Sequence, residues 1–127
     1  MERLGPAAAI SVPETATVDA AIGTLRDKRI GCVLVTDTDG RLAGIFTERD
    51  VLARVATEDV DPATVLMRDV MTPDPETIKA DHLLAHAFHL MMVNDLRYLP
   101  LVDEEGRPTG VVSSRDLIDY LASLVMD

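Results

Sequence analysis

The chain has 127 residues, enough for one ordinary domain or for two small ones that share a core. Apolar residues make up 47 %, which argues against disorder over most of the length. The formal charge of −10, from 12 basic against 22 acidic residues, disfavours nucleic acid and anionic membrane surfaces as partners. A small nucleotide is not disfavoured in this way, because one or two arginines in a local pocket can hold a few phosphates whatever the net charge.

No apolar run reaches the roughly 18 to 20 residues that a membrane-spanning helix needs. Met1 to Pro6 lacks the basic and apolar blocks of a secretion signal. The lone Cys32 closes no intrachain disulfide and builds no thiolate metal site, so a reducing compartment, the cytoplasm, is expected.

In chain order, a short strand is expected near Ala9 to Val12. Next comes a helix over Val18 to Lys28, whose apolar Val18, Ala21, Ile22 and Leu25 follow helical spacing. The β-branched run Cys32 to Thr36 reads as a strand, Asp37-Thr38-Asp39-Gly40 supplies turn chemistry, and Leu42 to Phe46 resumes as the partner strand of a hairpin. A helix from Glu48 to Ala56 closes this series. Glu58 to Pro75, punctuated by Pro62, Pro73 and Pro75, reads as a connection.

The scheme then repeats: strand Glu76 to Ile78, helix Leu83 to Val93, strand Tyr98 to Val102, turn Asp103 to Gly106, strand Thr109 to Val112 and helix Ser114 to Leu124. One shift of 66 residues relates the copies, placing Gly44-Ile45-Phe46-Thr47-Glu48-Arg49-Asp50-Val51 on Gly110-Val111-Val112-Ser113-Ser114-Arg115-Asp116-Leu117, and Asp37, Gly40 and Arg41 on Asp103, Gly106 and Arg107. The expected fold class is α/β, two β-α-β-β-α repeats, residues 1–62 and 63–127. Neither half buries much apolar surface alone, so the two are expected to pack sheet to sheet with pseudo-twofold symmetry around a cleft.

The repeated Gly-apolar-apolar-Thr/Ser-x-Arg-Asp block, the strand Leu99-Pro100-Leu101-Val102-Asp103 and Asp69-Val70-Met71-Thr72-Pro73 resemble the CBS-domain family in its paired form, the Bateman module. The likeness covers nearly the whole chain. It implies a regulatory, non-catalytic module that binds AMP, ADP, ATP or a related compound such as S-adenosylmethionine between its repeats and signals to a protein partner whose identity the sequence leaves open. Family habit also implies a homodimer formed through helices, in keeping with apolar residues on more than one face of Val18 to Lys28 and Leu117 to Leu124.

Thr47 with Asp50, and Ser113 with Asp116, stand where a strand gives way to a helix. Free N–H groups and the positive dipole end favour phosphate there, and a carboxylate has the acceptors for both hydroxyls of a ribose. The same pattern is also a capping box, which simply begins a helix. In the resembling family these positions contact phosphate and ribose. Family likeness also implies that Arg97, three residues before Pro100, reaches phosphate, and a guanidinium can grip one bidentately. Its counterpart is Gly31, so two unequal pockets are expected, the one with Arg97 holding charge better. Arg49 and Arg115 are candidates for phosphate or for ion pairs. Val33, Val35, Leu99 and Leu101 are the expected apolar neighbours of a base.

His82, His86 and His89 share a helical face, but with no carboxylate in fixed register a metal site is not expected. No nucleophile elbow, Walker loop or His-Glu-x-x-His occurs, so catalysis has no visible machinery. The alternatives are a ligand-free dimerisation scaffold and a regulatory piece of a larger enzyme or transporter. The start at Met1 favours a complete small protein over the latter.

Overall fold

The computed structural model describes residues 7–56, 58–79 and 84–125. Its elements are β1 (Ala7–Ala8), β2 (Ser11–Pro13), α1 (Val18–Lys28), β3 (Cys32–Thr36), β4 (Leu42–Thr47), α2 (Glu48–Asp50), which runs on as a π-helix over Val51–Ala56, α3 (Met67–Val70), β5 (Thr72–Pro73), β6 (Ile78–Lys79), α4 (Leu84–Val93), β7 (Tyr98–Val102), β8 (Pro108–Ser113) and α5 (Ser114–Val125). They form two four-stranded sheets, β2-β3-β4-β5 and β1-β8-β7-β6, within two compact units, Ile10–Pro75 and Met1–Ala9 with Glu76–Asp127. The α/β class and the duplicated strand-helix-hairpin-helix order are those expected.

The units are built alike because their local chemistry is alike. In each, a short strand runs parallel to the next, with a helix as the crossover, and an antiparallel hairpin follows. The hairpin turns match atom for atom. Asp37 Oδ1 accepts from the N–H groups of Asp39 at 2.8 Å and Arg41 at 3.0 Å, and Asp103 Oδ1 accepts from Glu105 at 2.8 Å and Arg107 at 3.0 Å. Gly40 (φ 81°) and Gly106 (φ 82°) take the left-handed conformation that lets each turn close. Register irregularities fall at Val35/Thr36 and at Leu101/Val102, again 66 residues apart.

Helix α1 begins at Thr17, whose hydroxyl accepts from Ala20 N at 3.3 Å, and ends at Arg29 in the left-handed region (φ 53°). Its spacing puts Val18, Ala21 and Leu25 on one face, where they join Val12, Val33, Val35, Phe46, Val55, Met67 and Val70 in the first core. The second core is smaller: Ile78, Ala87, Met91, Leu99, Leu101, Val112 and Leu117. The equivalent of Phe46 there is Val112, so the first core carries the bulkier filler.

Six elements differ from the sequence expectation. The first leading strand lies at Ser11–Pro13 and the second at Ile78–Lys79, both displaced toward the C-terminus. The helix expected over Glu48 to Ala56 keeps α geometry for only three residues before widening to π. The connection Glu58 to Pro75 contains helix α3 and strand β5, and Arg68 N donates to Glu14 O at 3.0 Å and Met67 N to Ala16 O at 2.8 Å, anchoring it. Strand β1 was not anticipated either, and it pairs with β8. The start of the second helix at Leu83, and His82 before it, lie outside the described residues.

Candidate functional site

Two strand-to-helix junctions carry the candidate polar residues, one in each unit. At the first, Thr47 caps α2. Its hydroxyl accepts from Asp50 N at 3.2 Å and donates to Asp50 Oδ2 at 3.1 Å, while Thr47 N donates to the same Oδ2 at 2.9 Å. At the second, Ser113 N donates to Asp116 Oδ2 at 3.1 Å, and Asp116 N donates to Ser113 Oγ at 3.0 Å. Both are capping boxes, which satisfy N–H groups that a new helix leaves without intrahelical partners.

The backbone positions the residue behind each junction identically. Glu48 N donates to Gly31 O at 3.0 Å, and Ser114 N donates to Arg97 O at 2.8 Å. Arg97 is therefore tied by its own carbonyl to the first turn of α5, next to the strand pair Tyr98–Ser113. Its side chain is exposed, and no carboxylate lies within ion-pair distance of it among the described residues. The first junction has only Gly31 at this place.

The carboxylates differ in what remains free. Asp50 Oδ1 faces Arg54 Nε at 3.7 Å. The residue 66 positions on is Tyr120, and among the described residues nothing bonds Asp116 Oδ1. Among the described residues the second junction thus combines an unengaged carboxylate oxygen, a serine hydroxyl whose proton is uncommitted, and an adjoining arginine with no ion pair, and the first does not.

Arg115 Nε lies 3.4 Å from Asp119 Oδ1, an exposed pair on the surface of α5. Arg49 is exposed, and Ala53 stands where an equivalent acid would be. The structure gathers Ser113, Asp116 and Arg97 at one junction and Thr47 with Asp50 at the other, and it turns Arg115 toward a pair on its own helix.

Val33 and Val35 are fully enclosed in the first core, and Leu99 (0 % exposed) and Leu101 (6 %) sit in the second. They present almost no surface to a base. The alternate residues on the opposite strand face, Cys32 and Leu34 or Pro100 and Val102, are buried as well, so both faces of these two strands are covered. Burial, with a smaller push from the charge of Glu48, raises the Cys32 thiol to about 12, so at neutral pH it is a protonated core group.

His86 and His89 are exposed on α4. Arg54 is the residue that sequence reasoning passed over. Its signal was available, since Asp50 and Arg54 stand four apart on a helix and the second copy has no such pair.

These two units, each a parallel strand pair with its crossover helix, a hairpin and a capped closing helix, match the CBS domain family over residues 7–57 and 67–123, and the chain belongs to that family as a tandem pair. A protein of Methanopyrus kandleri, MK0525, is 30 % identical over 91 % of this chain and 65 % of its own length. Among solved structures, a CBS-domain containing protein from Agrobacterium tumefaciens superposes with a TM-score of 0.79 at 29 % identity, covering 94 % of both chains. The cytosolic domain of the magnesium channel MgtE, in complex with ATP, superposes with a TM-score of 0.74 at 30 % identity over 88 % of this chain and 44 % of that one. The chain spans 65 % of the length of the Methanopyrus kandleri relative and 19 % of that of a CBS domain-containing protein of Arabidopsis thaliana, 30 % identical over 85 % of this chain. No helix among the described residues is long and apolar enough to cross a membrane.

Proposed function

We propose that this chain is a non-catalytic sensor of an adenosine nucleotide, acting in the cytoplasm as a homodimer, and that its principal ligand junction is the second. The observation that carries this reading is the contrast at the two carboxylates. Asp116 keeps an oxygen open for ribose hydroxyls beside Ser113 and Arg97, whereas Asp50 is engaged by Arg54. The ATP complex of the MgtE cytosolic domain supports the ligand class.

In this reading Asp116 Oδ1 accepts from the ribose, while the Ser113 hydroxyl, the Arg115 N–H in the first turn of α5 and the Arg97 guanidinium meet phosphate. Thr47 and Asp50 form a weaker second place, and Arg49 and Arg115 add long-range positive charge. The same helix links ligand to output. Ligand held at the N-terminus of α5 orients a twelve-residue helix whose outer side exposes Ile118, Leu121, Leu124 and Val125, the surface we assign to the dimer. Nucleotide then shifts the dimer only to the extent that it binds one arrangement better than another.

Calorimetric titration of the full chain with AMP, ADP, ATP and S-adenosylmethionine tests this. At 100-fold excess over its dissociation constant, the bound ligand is expected to add roughly 2.7 kcal/mol of stability. Asp116→Ala is expected to abolish binding with the far-ultraviolet spectrum unchanged. A flat response of the native chain to all four compounds overturns the sensor reading and leaves a ligand-free interaction scaffold.

A further inference from the structure

Arg54 is fixed from both sides. Besides facing Asp50 Oδ1, its Nη1 donates to Val70 O at 3.1 Å and to Met71 O at 3.2 Å. These carbonyls lie at the end of α3, immediately before β5, and the Met71 side chain lies against Gly44 in the middle of β4. One guanidinium therefore connects the capping carboxylate of the first junction to the segment that delivers the fourth strand of its sheet. A planar fork with five donors can serve a carboxylate and two carbonyls together, whereas an ammonium cannot keep this geometry. Arg54 also sits inside the six-residue π-helix, a widened geometry that is rare and recurs at functional sites.

We infer that Arg54 adds to the inequality that Gly31 and Arg97 begin: it competes with ribose hydroxyls for Asp50 and so weakens nucleotide binding at the first junction. Filling that junction requires the guanidinium to leave Asp50 Oδ1, and the clamp on Val70 and Met71 loosens with it. The first junction then reports occupancy to the α3–β5 segment, and the second, with Tyr120 in the equivalent place, binds without this competition. This inference rests on the nucleotide-sensing reading and adds the regulation of its weaker site.

The test is an AMP titration of the full chain followed by amide chemical shifts, with Thr47 and Asp50 reporting the first junction and Ser113 and Asp116 the second. In Arg54→Ala, the first-junction affinity is expected to tighten by roughly fivefold, the worth of a partly exposed ion pair. The second junction stays unchanged. Hydrogen exchange at Asp74 N, which donates to Ala43 O at 3.2 Å in the β4–β5 pairing, is expected to quicken in the same variant without nucleotide.

Tyr120→Arg, the reciprocal change, places a guanidinium four residues after Asp116 and is expected to weaken the second junction by a similar factor. It decides the matter should Arg54→Ala not fold. If Asp116 responds to AMP while Arg54→Ala leaves the first junction as it was, or if Tyr120→Arg tightens the second, the role of Arg54 is overturned and the sensor reading stands. Silence at both junctions in every variant overturns both.

Discussion

At the first junction the second oxygen of the capping carboxylate faces an arginine four residues on. At the second, tyrosine stands at that position, and among the described residues nothing bonds the same oxygen. Nearer the cap the two share a hydroxyl, a carboxylate, reciprocal N–H bonds and the carbonyl behind them, and differ in that only the Thr47 hydroxyl also donates to its carboxylate among the described residues. A duplicated scaffold can thus keep its backbone and divide its chemistry by changing one side chain a single helical turn away. Gly31 against Arg97 works in the same direction, because the junction with the occupied carboxylate also lacks the cation.

The largest break in this comparison lies one residue before each cap. Phe46→Ala is expected to cost about 3 to 5 kcal/mol, since a fully enclosed ring leaves a cavity its neighbours cannot fill. Val112→Ala, at the matching place, removes less and is expected to cost about 1.5 kcal/mol. Urea denaturation, with hydrogen exchange assigning the loss to a unit, measures both.

Next is Gly44→Ala. A Cβ there runs into the Met71 side chain and meets the backbone Thr72 O at 2.8 Å, so β5 must shift, at a cost of about 1 to 3 kcal/mol in thermal melts. Smaller again are the caps. Thr47→Ala and Ser113→Ala are each expected to cost about 1 kcal/mol. Thr47 is the larger of the two because its hydroxyl also donates to Asp50.

Titration sharpens the comparison at its weak end. The Cys32 thiol is raised from 9.0 to about 12 in the folded chain. The proton that favours the native state is therefore retained through neutral pH, and stability falls between those values as the unfolded chain ionises first. Cys32→Ala is expected to flatten that alkaline slope, and native Cys32 to resist alkylation at pH 8.

In the second turn, the backbone N–H of Arg107 is the main reason the exposed Asp103 carboxyl lies below its ordinary value. The Glu105 and Gly106 N–H groups and the Arg107 charge assist against a desolvation that opposes. A lowered carboxyl contributes stability above its unfolded value and loses it as pH falls through the folded one. Asp103→Asn is expected to remove a small part of the acid slope.

Much of this was legible in advance where a pattern is local. Helix Val18–Lys28, read from its helical spacing, and strands Cys32–Thr36, read as a β-branched run, and Tyr98–Val102, read from the repeat, fall where expected to the residue. Asp37 and Asp103 announced their turns because an aspartate bonds its own backbone two residues on.

What escaped depends on distant partners. Strands β1 and β5 are two residues each, too short to carry a period, and exist because β8 and β4 offer an edge. Which strand face the core takes is set by distant packing, so Val33, Val35, Leu99 and Leu101, expected as neighbours of a base, lie in the two cores. The π-helix has no composition signature, and Arg54 meets Val70 and Met71 only through the fold.

The two-residue pairings have a practical consequence for cutting the chain. Ala7–Ala8 seals the rim of a sheet whose remaining strands come after residue 76, and Thr72–Pro73 does the same for one whose other strands come before residue 48. A fragment divided midway through the connecting segment is thus deprived of its sealing strand on either side, and its bare β8 or β4 becomes a template for stray chains. Expression of separate halves should extend past Pro73 for one and graft the first nine residues onto the other.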